Sequence, residues 1–225
     1  MSNKTKSILL ILSVLLVDQV LKIWIKTHLV PGEEIVVFKN WFILHFIENN
    51  GMAFGLEFGN STGKYILSIM RLAAIGALGW YLLKLLKEVV PFGLIACFSL
   101  ILAGATGNIL DGAFYGMIFS HNPGEIAALF PPGGGYSSFL QGKVVDMFYF
   151  PMIETHYPDW FPLLGGQEFI FFRHIFNIAD AAVFTGVVSI MLFYRSYYGE
   201  GKVKENVPAV TAEAANDSII NAGQV

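Results

Sequence analysis

The sequence predicts an all-α membrane protein: four transmembrane helices, a small outer-leaflet β-cradle and a long extracytoplasmic loop. Three observations predict it. Only 14% of the 225 residues are charged and 55% are hydrophobic, whereas a soluble domain carries about 25% charged residues. The apolar residues fall into four runs, each near the roughly 20 residues that a helix needs to cross the hydrocarbon core. The polar residues that interrupt these runs gather toward one end of them, not through their full depth.

The first run, Ser7–Trp24, follows Lys4 and Lys6 and superficially resembles a secretory signal. No small-x-small cleavage site follows its apolar core; Asp18-Gln19-Val20-Leu21-Lys22 comes instead, so the segment is read as an uncleaved span. Residues 34–54 are β-branched and aromatic around Lys39-Asn40-Trp41, the pattern of a hairpin or cradle, with Trp41 as an interfacial anchor. Tyr65–Leu86 forms the second span and contains Arg71. Phe92–Ile109 is the third, ending in Gly104-Ala105-Thr106-Gly107-Asn108, where small residues let helices approach closely. A long outer segment runs from Gly116 to Phe172, with Pro131-Pro132-Gly133-Gly134-Gly135 inside an inserted loop of about 117–143. It is dense in aromatics, and a loop of this length is usually functional or disordered. His174–Phe193 is the fourth span. Residues 1–198 are expected to form one domain, and the polar tail 199–225 to be disordered.

Lys4 and Lys6, Lys84 and Lys87, and Arg195, Lys202 and Lys204 share one side of a four-span bundle. The positive-inside rule makes that side cytoplasmic, with both termini. A net charge of −3 gives no reason to expect a nucleic-acid partner. Cys97 is the sole cysteine, which excludes an intrachain disulfide and a thiolate metal site. It reads as packing.

Charged groups at bilayer depth cost about 3 kcal/mol on insertion scales and are functional candidates by default. They include Asp18, Lys22, Arg71, Asp111, Asp146 and Asp180, beside the amides Asn49, Asn108 and Asn177. Asp18 and Lys22 stand four apart, a spacing that suits an intrahelical pair. Asp111 reads as structural, near a helix end. Asp146 and Asp180 fall at similar depth on the outer side. Facing each other they would form a carboxylate dyad sharing one proton. The ionised member could then activate water while the protonated member polarises a carbonyl. Two aspartates alone are a weak signal.

The surrounding segments are more specific. Val17-Asp18-Gln19 with Lys22, Asn49-Asn50-Gly51-Met52-Ala53-Phe54-Gly55, Gly104–Asp111, Val144-Val145-Asp146 and Phe176-Asn177-Ile178-Ala179-Asp180 occur in the order found in lipoprotein signal peptidases. The chain resembles that family from about residue 8 to 195. The resemblance implies an aspartic endopeptidase that needs no metal or other cofactor, with Asp146 and Asp180 catalytic. It implies that Asn49, Gly51, Asn108 and Asn177 bind and orient substrate, with Asp18 and Lys22 supporting the site. The implied substrate is a lipid-modified prolipoprotein, cut just before its diacylglyceryl-cysteine. The implied setting is the bacterial inner membrane, with the site on the extracytoplasmic side, membrane lipid as a partner and the enzyme working as a monomer.

Two features depart from the family pattern. Gly112 stands where the family usually has Arg after the third-signature aspartate, and Lys143 or Arg173 is a candidate substitute. The inserted loop 117–143 replaces a short link. Two other readings compete: a catalytically inactive lipoprotein-binding relative, and a small proton-coupled transporter. The transporter predicts polar residues through the whole bundle, yet here the inner halves of spans two and four are almost wholly apolar.

Overall fold

The structure is a computed structural model and describes residues 1–39, 41–50, 61–151, 153–156, 158–163, 165–171 and 173–199. Four long helices carry the fold: α1 (Asn3–His28), α2 (Ser61–Leu85), α3 (Phe92–Leu110) and α5 (Ile178–Phe193). A π-helical turn, Asp111–Tyr115, and the short α4 (Gly116–Ile118) extend α3; α6 (Arg195–Gly199) follows α5. Among the described residues three helical runs are long and apolar enough to cross a membrane: α1, Gly63–Leu85 of α2 and the continuous run Phe92–Ile118. The protein is therefore a multi-pass membrane protein.

The fourth expected span is shorter than its apolar run. Ile175–Phe176 pair as a strand and Asn177 caps the helix, so α5 has 16 residues and extends about 24 Å. That is less than the roughly 30 Å of a hydrocarbon core. Its upper end gives way to the sheet instead.

The β part is larger than the small cradle expected: the described residues form six strands. β1 (Glu34–Phe38), β2 (Phe42–Asn49), β3 (Val144–Tyr149) and β6 (Ile175–Phe176) form an antiparallel sheet in the order β1-β2-β3-β6. β4 (Ile153–His156) and β5 (Glu168–Phe171) form a separate hairpin. Three of these strands, β3, β4 and β5, lie in the outer segment read from sequence as loop. The hairpin expected near 34–54 accounts only for β1 and β2, and residues 51–54 lie outside the described residues.

A core cluster of Ile25, Leu29, Phe46, Tyr115, Phe119, Val145 and Met147 seats this sheet on the outer end of α1 and on the segment after α3. Burying such side chains stabilises by about 1.5–3 kcal/mol each. The inserted loop packs against the π turn: Gly142 N donates to Gly112 O (2.8 Å), and Ser137 N donates to Gly116 O (2.8 Å). A Cβ on Gly142 would meet Asp111 O at 2.3 Å, so only glycine allows the two backbones this close.

Within the bundle α3 is central, packing against α1, α2 and α5. Small residues set its distances. A Cβ on Gly104 would lie 2.1 Å from Ala179 O, and one on Gly107 would lie 2.8 Å from Asp18 Oδ2. Gly104→Ala is accordingly expected to destabilise the protein by about 1–3 kcal/mol, because the obstacle is backbone. Gly76→Ala on α2, where a Cβ meets nothing within 4 Å, serves as the control. Thermal unfolding in detergent should show a lowered Tm for the first variant only; equal Tm values would contradict this helix packing.

Candidate active site

The sheet order places three polar side chains side by side. Asn49 ends β2, Asp146 sits in the middle of β3, and Asn177 follows β6 directly. Ile47 pairs with Asp146 and Asn49 with Val144 across β2 and β3, so Asn49 Nδ2 reaches Asp146 Oδ2 and donates to it. Asn177 Nδ2 donates to the other oxygen, Asp146 Oδ1, at 2.7 Å, and also to Val145 O at 3.2 Å.

Asn177 is at once the N-cap of α5. Its Oδ1 accepts from Asp180 N (2.9 Å), while the Asp180 carboxylate accepts from Asn177 N (3.4 Å), completing a capping box. One residue thus contacts both candidate catalytic carboxylates, donating to Asp146 through its side chain and to Asp180 through its backbone. Asn108, in the last turn of α3, donates to Asp180 Oδ1 (2.7 Å) and accepts from Asn177 Nδ2 (3.1 Å).

Beneath these amides lies a buried charge cluster. Lys22 Nζ contacts Asp18 Oδ2 (2.9 Å), Asp111 Oδ2 (2.7 Å) and Asn108 Oδ1 (2.9 Å). Asp18 Oδ1 accepts from Ala179 N (2.9 Å), satisfying one of the first-turn amides that a helix leaves unpaired. Asp111 Oδ2 accepts from Val145 N (3.5 Å), linking α3 to the strand that bears Asp146. Asp18, Lys22 and Asp111 are all buried, and a buried charge is tolerable only when paired and hydrogen-bonded.

Asp146 is 5% exposed. Burial, and secondarily the charge of Asp180, pushes its carboxyl up to about 7; the amides of Asn177 and Asn49 and the charge of Lys22 act against that rise.

Gly51 lies outside the described residues. Gly112 is in the π turn, with open space around the position a Cβ would take. Lys143 directs its ammonium to His121 Nε2 (3.0 Å) and Glu48 Oε2 (3.5 Å), and Arg173 is exposed. Among the described residues no group of three or more His, Cys, Asp or Glu side chains is suited to hold a metal ion.

Sequence reasoning passed over two contributors. Gln19 donates to Asp111 Oδ1 (2.8 Å) and Asp18 Oδ2 (3.1 Å) and accepts from Tyr115 OH (3.2 Å). Its adjacency to Asp18 was the available signal. Lys26 pairs with Glu48, both buried, and lies over the rings of Phe119 and Tyr136. Charges at the edges of apolar runs could have pointed to that pair.

A multi-pass membrane protein in which two carboxylates are bridged by asparagine amides has the make-up of a membrane-embedded peptidase of the aspartyl type. The sequence pattern of the family described as Signal peptidase (SPase) II matches residues 10–196, and the chain belongs to that family. A lipoprotein signal peptidase of Porphyromonas gingivalis is 49% identical over 186 residues, covering 82% of this chain and 80% of the relative. That of Amoebophilus asiaticus is 36% identical over 198 residues, covering 87% and 80%. The fold resembles a solved bacterial membrane enzyme with a TM-score of 0.54, at 24% identity over 89% of this chain and 94% of that one.

The dual part of Asn177 is separable by mutation. Asn177→Ala removes both the cap and the donor to Asp146; it should cost about 1 kcal/mol of stability and abolish most peptidase activity. Asn177→Asp keeps a capping acceptor but sets a third carboxylate beside the pair. It should recover part of the Tm and none of the activity. If activity tracked Tm across both variants, Asn177 would be a cap and nothing more.

Proposed function

We propose that this peptidase removes the signal peptide from diacylglyceryl-modified prolipoproteins, cutting just before the lipidated cysteine, with Asp146 and Asp180 as its catalytic dyad. The observation that carries the dyad is the bridge through Asn177: a buried carboxylate, Asp146, and a half-buried one, Asp180, hydrogen-bonded to the same residue. Membership of the signal peptidase family supplies the substrate class.

Asp146, pushed up to about 7, is the member that carries the proton. It donates a hydrogen bond to the scissile carbonyl oxygen. Asp180, held by Asn108 and by the backbone N–H of Asn177, takes a proton from water as the water oxygen attacks the carbonyl carbon. Asp146 meanwhile passes its proton to the former carbonyl oxygen, giving a tetrahedral diol; as the C–N bond breaks, one diol hydroxyl returns a proton to Asp146 and the leaving nitrogen takes the proton held by Asp180. Oxygen enters from water, and no covalent enzyme intermediate forms. Asn49, Asn108 and Asn177 bind and orient the peptide and the carboxylates; neutral amides can do this at membrane depth without an unpaired charge. Gly51 belongs to the same substrate-binding set by its motif.

Burial of two acyl chains offers about 0.8 kcal/mol per methylene. Only the difference from the bilayer counts toward binding, so lipid contacts orient the substrate more than they capture it. The same reading puts residues 1–198 in one peptidase domain with a tail at 199–225. It makes α5 the fourth membrane helix and both termini cytoplasmic in the inner membrane. The site then opens on the extracytoplasmic side of a protein that works as a monomer.

The test is a gel-shift cleavage assay on a diacylglyceryl-modified prolipoprotein, with purified protein beside Asp146→Asn and Asp180→Asn. Conversion should be abolished in both variants while their Tm stays close to the parent's. Cleavage surviving either change would overturn the dyad. The sign of the pH dependence follows from Asp146. Its carboxyl is raised above the ordinary carboxylate range, so the protonated form persists up to about pH 7 and kcat/KM should fall as pH rises through that value. A flat kcat/KM between about pH 6 and 9 would contradict the assignment of the acid.

A further inference from the structure

Arg71 is a cation at membrane depth that none of the contacts above employs. It lies ten residues inside the outer end of α2, about 15 Å along the helix axis. The inward stripe of α2 runs through Lys64, Ser68, Arg71, Ile75, Leu78, Leu82 and Leu85 at helical spacing, while Ile66, Ile69, Met70 and Leu72 are exposed to the lipid side. Ser68, one turn above Arg71, is fixed by donation to Lys64 O (2.9 Å) and Leu140 O (3.3 Å). Lys64 above it donates to Gln141 O (2.8 Å) and Asn50 Oδ1 (3.4 Å). Arg71 has no such partner: no hydrogen bond or ion pair ties its guanidinium to another described residue. The charge that acts on it is that of Asp180.

Five N–H donors at this depth need acceptors. α2 packs chiefly on α3 and makes no comparable contact with α1 or α5. Half-buried on this stripe and within reach of the charge of Asp180, Arg71 stands between the dyad and the exposed, lipid-side residues of α2. Under the reading proposed above, on which this inference rests, one part of the substrate must span that interval: the glyceryl diester joining the cysteine to its acyl chains. Its two ester carbonyl oxygens are the polar acceptors between the peptide and the hydrocarbon.

We infer that Arg71 is a substrate-binding residue whose guanidinium holds the ester carbonyls of the diacylglyceryl group, placing the lipidated cysteine beside Asp180. A planar fork of donors suits two acceptors on one small group. It is a cation supplied from α2, in a protein whose position 112 carries none.

Steady-state cleavage of two prolipoproteins tests this, one carrying the diacylglyceryl diester and one the corresponding dialkyl ether, which lacks both carbonyls. The parent should show a KM about 10-fold higher for the diether, the scale of one charge-assisted hydrogen bond. Arg71→Met should raise KM for the diester to that same level, leave KM for the diether unchanged and change kcat little for either. Arg71→Lys should recover part of the diester preference. A parent that handled both substrates alike would overturn the inference without any variant having to fold. So would an Arg71→Met effect confined to kcat, or equal on both substrates. Cleavage of neither substrate by the parent would remove the underlying reading, a distinguishable failure that takes the inference with it.

Discussion

Lys22 carries the arrangement at membrane depth. Its ammonium contacts Asp18, Asp111 and Asn108 together, and each partner then does something else. Asp18 caps α5, Asp111 receives the backbone of β3, and Asn108 donates to Asp180. Remove that cation and two buried carboxylates are left facing each other, a loss of about 3–5 kcal/mol for a broken buried pair. One ammonium thus couples α1, α3, α5 and β3 at the level where the candidate catalytic groups lie. The small residues of α3 are its structural counterpart, since Gly104 and Gly107 let α5 and Asp18 come close enough for these bonds to form.

The sheet solves a second problem. A carboxyl that must keep a proton near neutral pH needs burial without a neutralising cation at hydrogen-bond distance. β3 supplies this by holding Asp146 between Asn49 and Asn177, two neutral amides, while the Lys22 charge cluster lies one layer away behind Asn108. The inserted loop reinforces the sheet's seat: its backbone is bonded to the π turn that follows α3, and Glu48 on β2 is paired to Lys26 and Lys143. Lys143 is therefore occupied with anchoring.

The motifs were legible because they are local. Asn177 and Asp180 stand at capping-box spacing in the sequence, and Asp18 and Lys22 at the spacing of an intrahelical pair. The apolar runs marked α1, α2 and α3 to within a few residues. The sheet was not legible as a sheet. β3, β4 and β5 lie in a segment whose Pro/Gly density and length read as loop, although Val144, Val145, Phe148 and Tyr149 are β-branched or aromatic and the strand character of β3 could have been seen. Strand pairing between residues a hundred positions apart, as in Asn49 with Val144, leaves no local trace. The same pairing shortened the fourth helix, since Ile175 and Phe176 are as apolar as the helix below them and only their partners in β3 make them strand.

The central claim is that Asp146 holds a proton at neutral pH within an asparagine-bridged pair. It is tested most directly by infrared difference titration of the purified protein with its aspartate carboxyls isotope-labelled. The account predicts a protonated-carboxyl band that disappears as pH rises through about 7 and is missing from Asp146→Asn. A band with that titration persisting in Asp146→Asn, or the absence of any protonated carboxyl from about pH 5 upward, would contradict it.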